Sequence, residues 1–537
     1  MPLRPLDRAM TRPIIIGAGH NGLVCAAYLA RAGQRPLVLE ARDEVGGCVV
    51  TQELAPGVRV PALTHAVAIR ADIAADLQLA SQGLHLEQAA TSMAVPTRGG
   101  PALVIPRDSA AAARALSGWS ARDARRWPEF VAITLSMTRA MAGVLDQVPP
   151  SIDRPSPAEL WDLLRAGRSL RGLGRRRLYD LLRWGPMPIG DLAAEWFETR
   201  PLQAALCARG VFGMSAGPRS AGTTASWLLQ AAHEHHPTGT LTQVAGGPGS
   251  LASALAVAAT GAGAQIRQGS RVARIEVADD RVTAVVLDSG ETLQASTVVS
   301  GADPRHTFLD LIDPVHLQPS FRQQVTNYRA QGVLAKINLA VEGLPSVPGL
   351  QGVDPAAHPL GGRLLIGDDP DDLERAFDCS KYGRLSDRPW LEVVVPTLAD
   401  ASLAPAGHHV LSVYAQYAPY RLRGSSWDAE RDRLGELVVD RLAEVMPDLK
   451  PRIRAAEVLT PADLERRFGL TGGHIFHGEH ALDQLYAMRP VLGWARHRTP
   501  IAGLYLCGAG AHPGGGVTGA PGAHAARVVL RDLRRAG

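Results

Sequence analysis

The chain has 537 residues, 46% of them hydrophobic and 20% charged, with a formal net charge of +4. That length exceeds what one ordinary core organises and that composition excludes extensive disorder, so a folded chain of two domains is expected. The basic residues are arginines apart from Lys336, Lys381 and Lys450, and the 52 acidic residues are interspersed among them, which offers nucleic acid no one-signed field.

In chain order, residues 1–12 (MPLRPLDRAMTR) carry no apolar stretch after their arginines, so a secretory leader is not expected; Met10 would serve as a start without losing a motif. Residues 13–16 form a short apolar run suited to a buried parallel strand. Gly17-Ala18-Gly19-His20-Asn21-Gly22 follows and opens a helix to about residue 32, where Gly33 stops it. Residues 35–40 make a second strand closed by Glu40. Each piece has a task in a dinucleotide site. Gly17 permits a tight turn, Gly19 lets backbone approach a pyrophosphate, and Gly22 lets the helix pack on the strands. The helix N-terminus faces the phosphates, and Glu40 accepts hydrogen bonds from a ribose. Gly46 and Gly47 add a further close backbone approach.

Residues 109–232 read as mainly helical. Within them, residues 161–184 set Arg165, Arg168, Arg171, Arg175, Arg176, Arg177 and Arg183 among leucines and two tryptophans. This pattern suits a basic amphipathic helix on an anionic membrane surface, while Gly167, Gly172 and Gly174 favour a solvated connector. His233-Glu234-His235-His236 lacks HExxH spacing and runs into the helix-ending Pro237-Thr238-Gly239, so no metal site is expected there. Three strands are expected at 271–277, 281–288 and 291–299, joined by Asp279-Asp280 and Ser289-Gly290 turns. Runs at 333–341, 362–366, 390–395 and 410–416 predict a second sheet, and residues 427–445 a solvated helix. Cys25, Cys48, Cys207, Cys379 and Cys507 are widely spaced, with no CxxC, which suggests a reducing compartment and neither disulfides nor zinc.

The chain ends with a strand at 503–507, then GAGAHPGGGVTGAPGAHAARVVL and a helix over about 520–534. No second fingerprint of comparable quality appears, and backbone from both chain ends converging on one extended cofactor suits FAD better than NAD.

With these motifs the sequence resembles the phytoene-desaturase-like branch of FAD-dependent oxidoreductases. Within it the match is to the pyridine nucleotide-disulphide oxidoreductase domain-containing group. The resemblance runs through GAGHNGL at 17–23, VGGCVVTQELAPGVRV at 45–60, GGPGSLASAL at 246–255, SGADPRHTFLDL at 300–311 and LAKINLA at 334–340. It continues through SLAPAGHHVLSVYAQYAPY at 402–420 and GGHIFHGEHALDQLYAMRPVLGWARHRTPIAGLYLCGAGAHPGGGVTGAP at 472–521. It implies an α/β chain: a Rossmann-like FAD domain of the glutathione-reductase and amine-oxidase type, with a mixed-sheet and helical substrate domain. The division expected is 1–95, 240–312 and 490–537 for FAD, and 96–239 and 313–489 for substrate. By position it implies non-covalent FAD held by Gly17, Ala18, Gly19, Gly22, Glu40, Gly46, Gly47, Val272, Gly508 and Val517. Cys48 stands where many relatives have arginine or alanine, and Pro248 where many have methionine.

The implied reaction moves a hydride from a small or medium, largely apolar organic substrate to flavin N5, with reoxidation by oxygen, a quinone or another acceptor. An amine or alcohol oxidase is the alternative enzyme, and a binding protein of the GDP-dissociation-inhibitor type the alternative of another class. His474, His477 and Arg489 form the polar group nearest the C-terminal flavin segment and are the candidate acid, base and anion-holding residues. The other reading of that group, and of Gln484 and His512, is that they fix the loop by bonding its carbonyls. A cytoplasmic protein is expected, with membrane contact limited to the 161–184 face.

Overall fold

Ile14–Ile16 stands at the centre of a parallel sheet of five three-residue strands, ordered Leu504–Leu506, Val298–Ser300, Ile14–Ile16, Leu37–Leu39, Gln265–Arg267. Ile14 sits opposite Val298 on one side and Leu37 on the other. All strands but Gln265–Arg267 are buried at every residue, which is how strands this short hold together. The computed structural model describes residues 12–150, 157–353 and 359–536. Nearly all of the segment read against a leader, and Met10 with it, lies outside them.

Helix His20–Arg31 covers this sheet between Gly249–Gly261 and the C-terminal Ala520–Ala536. At the second crossing Gly522 approaches so closely that a Cβ there would strike the Asn21 carbonyl. The first helix stops as predicted: Gly33 has φ +84°, and its N–H donates to the Ala30 carbonyl at 2.9 Å.

Val272–Ala278, Arg281–Leu287 and Thr292–Gln294 form a small antiparallel sheet. The run expected as one strand at 291–299 divides. Thr292–Gln294 alternates between exposed and half-buried and stays with the hairpin, whereas Val298–Ser300 is buried throughout and enters the parallel sheet. A change from one-faced to two-faced burial separates them.

The second large sheet has seven strands, ordered Ile453–Leu459, Leu334–Glu342, His408–Gln416, Trp390–Val394, Arg363–Ile366, Thr91–Val95, Leu103–Pro106. Only Arg363–Ile366 with Thr91–Val95 is parallel. Thr91–Val95 therefore lies in this sheet although the sequence division put it with the cofactor segments. Helices between residues 109 and 234 pack around Trp127, Phe130, Trp184, Phe197 and Trp227, with Phe130 stacked on Trp227 at 5.5 Å. The basic segment is two helices, Pro157–Arg171 and Gly174–Trp184, separated at Gly174 with φ +76°.

Candidate functional site

The turn after Ile14–Ile16 is closed by contacts that exclude side chains. A Cβ on Gly22 would run into the Gly17 carbonyl oxygen, and one on Gly47 (φ +61°) would sit 3.1 Å from the Gly19 Cα. Toward the cavity the situation reverses. A Cβ on Gly17 would meet no protein atom within 4 Å, and one on Gly19 only the Gly47 Cα at 3.9 Å. Both glycines line a cavity of about 480 Å³, together with the first residues of helix His20–Arg31. Backbone without side chains beside open space, at a helix N-terminus, is what a pyrophosphate needs.

Glu40 is buried on the same cavity wall. One carboxylate oxygen accepts the Ala18 N–H at 2.7 Å and the other the Arg42 N–H at 3.0 Å, which fixes the group at the rim where a ribose would lie. Gly22, Gly47, Val272, Gly508 and Val517 line the cavity as well. Ala18 and Gly46 support it from behind: neither is among the lining residues, and the Gly46 N–H donates to the Ala18 carbonyl at 2.8 Å. At the C-terminal segment, Gly508 lies against the Gly301 carbonyl, Gly515 against Phe476, and a Cβ on Gly516 would stand 3.0 Å from His233 Nδ1. Val517 holds φ +55°, unusual for a β-branched residue, at the cavity wall. The residues present fit a dinucleotide.

The three candidate catalytic residues separate. Arg489 is fully buried, and its guanidinium donates to the carbonyls of Phe476, Gly478, Glu479, Gln484 and Ala509. It has no free fork to hold a substrate carboxylate. His474 Nδ1 accepts from the Phe476 and Gly478 N–H groups at 3.2 and 3.4 Å; burial, and then Arg489, lower its imidazole to about 3. Neither residue lines the cavity. Gln484 pairs with the Arg329 N–H and carbonyl, and His512 Nε2 with the Leu145 carbonyl at 3.1 Å. These are the loop-fixing roles. His477 alone of the three lines the cavity, with φ +55° and an imidazole lowered chiefly by burial.

Sequence reasoning missed His480 and a buried charge cluster. His480 lines the cavity, stacks on Phe476 at 4.4 Å between ring centres, and accepts the Gly515 N–H at Nε2. On the substrate-sheet side, Arg209 meets Glu234 at 2.7 Å and Glu392 at 3.2 Å, while Arg363 meets the same two carboxylates at 3.0 and 3.4 Å. Two guanidiniums and two carboxylates thus close a balanced ring on the cavity wall. Burial would raise the Glu392 carboxyl, yet Arg363, His65 and Arg209 hold it well below the usual range. Behind the ring, Lys336 bonds His65 and Ser412 and lies 4.4 Å from the Tyr414 ring centre. Burial drives Lys336 well below its ordinary value and, with the Lys336 charge, lowers His65 to about 3. Of residues 233–236, His235 ends its helix at φ +55°, Glu234 joins the ring, and His236 accepts the Thr238 N–H. A sequence signal existed: Lys336, Arg363 and Glu392 are charges within largely apolar strands, which burial tolerates only when they are paired.

The comparisons agree with this geometry. Residues 15–72 match the NAD(P)-binding Rossmann-like domain, and residues 197–530 match Flavin containing amine oxidoreductase. The chain is 37% identical to pyridine nucleotide-disulfide oxidoreductase domain-containing protein 2 of Rattus norvegicus, across 97% of this chain and 93% of that one. It is 28% identical to a limonene dehydrogenase chain of Castellaniella defragrans, across 97% and 94%. The crystal structure of an oxidoreductase from Methanosarcina mazei superposes with a TM-score of 0.60 at 16% identity, covering 97% of this chain and all of that one, and so shares the fold. The chain belongs to the flavin containing amine oxidoreductase family and is a flavin-dependent oxidoreductase.

Proposed function

We propose that the protein binds FAD non-covalently and takes a hydride from a neutral, largely apolar organic substrate. The observation that carries this reading is the single cavity running from Gly17, Gly19 and Glu40 to a wall of Leu63, Phe212, Ile475 and Phe476. One chamber serves cofactor and substrate. The charged part of that wall is a balanced ring, so an ion of either sign would lie beside a like charge, while a neutral molecule would not. Limonene, in the name of one relative, is an uncharged hydrocarbon.

Bound flavin supplies the two-electron acceptor. The protein's own residues supply orientation and dryness. Apolar side chains exclude water, and half-buried His477, its imidazole lowered chiefly by desolvation, is suited to accept a proton when an O–H or N–H leaves. Cys48 is the cysteine on the cavity wall. Burial pushes its thiol up to about 12, which makes it a poor nucleophile for attaching the cofactor.

Two measurements on one preparation test the reading. Denaturation should release FAD into the supernatant, and anaerobic addition of a cyclic terpene or a terpene alcohol should bleach the flavin. Reoxidation by air or by a quinone would then identify the acceptor. Flavin retained on denatured protein, or bleaching by amines alone, would overturn the proposal in favour of covalent attachment or of an amine oxidase.

A further inference from the structure

Helix Pro157–Arg171 is packed the wrong way round for a core element. Among its described side chains the buried one is Ala166, and Ser169 meets Ala140 and Gly143 of helix Ala121–Leu145, so it seats on that helix through small residues. Its large apolar side chains other than the half-buried Leu170 face outward. Leu160, Trp161, Leu163, Leu164, and Tyr179 and Leu182 of helix Gly174–Trp184, are between 40% and 65% exposed. Exposed apolar groups gathered on one helix pair mark a face that meets something else.

Charge identifies the occupant. The seven arginines between residues 165 and 183 are all exposed, and residues 157–184 contain three acids, so this stretch carries a surplus of four positive charges, equal to that of the whole chain. A second copy would bring the same positive face against this one. Leucine and tryptophan among arginines on a short, exposed helix pair is instead the composition that enters the headgroup boundary of an anionic bilayer. Among the described residues no helix is long and apolar enough to cross a membrane, so this contact is a peripheral one.

We propose that helices Pro157–Arg171 and Gly174–Trp184 dock on an anionic membrane surface. The face connects inward. Trp184 is buried against Trp196 and Trp227, at 6.1 and 6.4 Å between ring centres. Trp227 lies on helix Thr223–Glu234, which carries Gln230, His233 and Glu234 to the cavity wall. A lipophilic substrate held in the bilayer would then meet the protein on the side of the molecule that leads to its site.

The test is flotation of the full chain with phosphatidylglycerol-containing vesicles and with pure phosphatidylcholine vesicles, at low and high salt. Two surface variants accompany it, one carrying Leu164→Glu and Leu182→Glu, the other Arg175→Glu, Arg176→Glu and Arg177→Glu. All five positions are exposed, and an unchanged melting temperature verifies the fold. The expected result is at least about tenfold tighter binding to the anionic vesicles, weakened by salt and lost by at least about tenfold in both variants. Equal binding to both vesicle types, or charge reversal without effect, would overturn it. A concentration-dependent dimer abolished by the leucine substitutions would overturn it too, assigning the face to a second copy.

Discussion

Arg489 holds five backbone carbonyls of residues 476–509 on one guanidinium, and no other side chain type offers that many donors in a fixed plane. Arg489→Lys keeps the charge but cannot span those acceptors, and the carbonyls left unpaired are buried. The expected loss is about 3 kcal/mol or more in urea unfolding, with flavin content falling in parallel. A variant of unchanged stability that had lost only turnover would return Arg489 to the reaction. Gly19 and Gly22 show the same dependence on surroundings. Gly22 is glycine because the Gly17 carbonyl leaves no room, and Gly19 because the space beside it belongs to the cavity.

At the scale of elements, residues 13–40 were legible because everything that shapes them is local. A buried run, a glycine turn, a helix stop and a terminal acid lie in consecutive residues, and Ile14–Ile16, His20–Arg31 and Leu37–Leu39 form where the pattern puts them. Four strands of the seven-stranded sheet were legible for the same reason, whereas Thr91–Val95, Leu103–Pro106 and Ile453–Leu459 were not read as strands, and the strand order was hidden because Thr91–Val95 pairs with Arg363–Ile366 across more than 250 residues. The charge ring was illegible for that reason as well. Arg209, Glu234, Arg363 and Glu392 come from two helices and two strands, each reading as an ordinary element until the fold brings them within 3.4 Å of a partner. For the loop at 474–489, residue types alone left catalysis and loop support open, and the hydrogen bonds separate them: Arg489 and His474 support the loop, and His477 faces the cavity.

Across the whole molecule, burial lowers the imidazoles of histidines both on the cavity wall and away from it. The imidazoles of His233, His236 and His497 are lowered from 6.5 to about 4, and those of His65, His474 and His512 to about 3. The unfolded chain takes up these protons as pH falls below about 6.5, and the folded chain does so only near 4 or below. Between those values the unfolded state binds more protons, so stability falls as pH falls. The melting temperature should drop steadily from pH 6.5 to 4, with a further loss below about 4.5 as carboxylates such as Glu392 are protonated on unfolding. A flat profile across that range would contradict the lowering of these imidazoles by burial. The central claim, that the cavity beside the glycine turn is the flavin site, is tested most directly by the visible absorption spectrum of the purified protein beside that of Gly19→Trp. Gly19 has φ −66° and open space at its Cβ, so the variant should fold with its cavity filled. Flavin bands in the parent protein, and a folded but colourless variant, are the predicted result. A parent protein colourless after incubation with FAD, or a variant that keeps its bands, would contradict it.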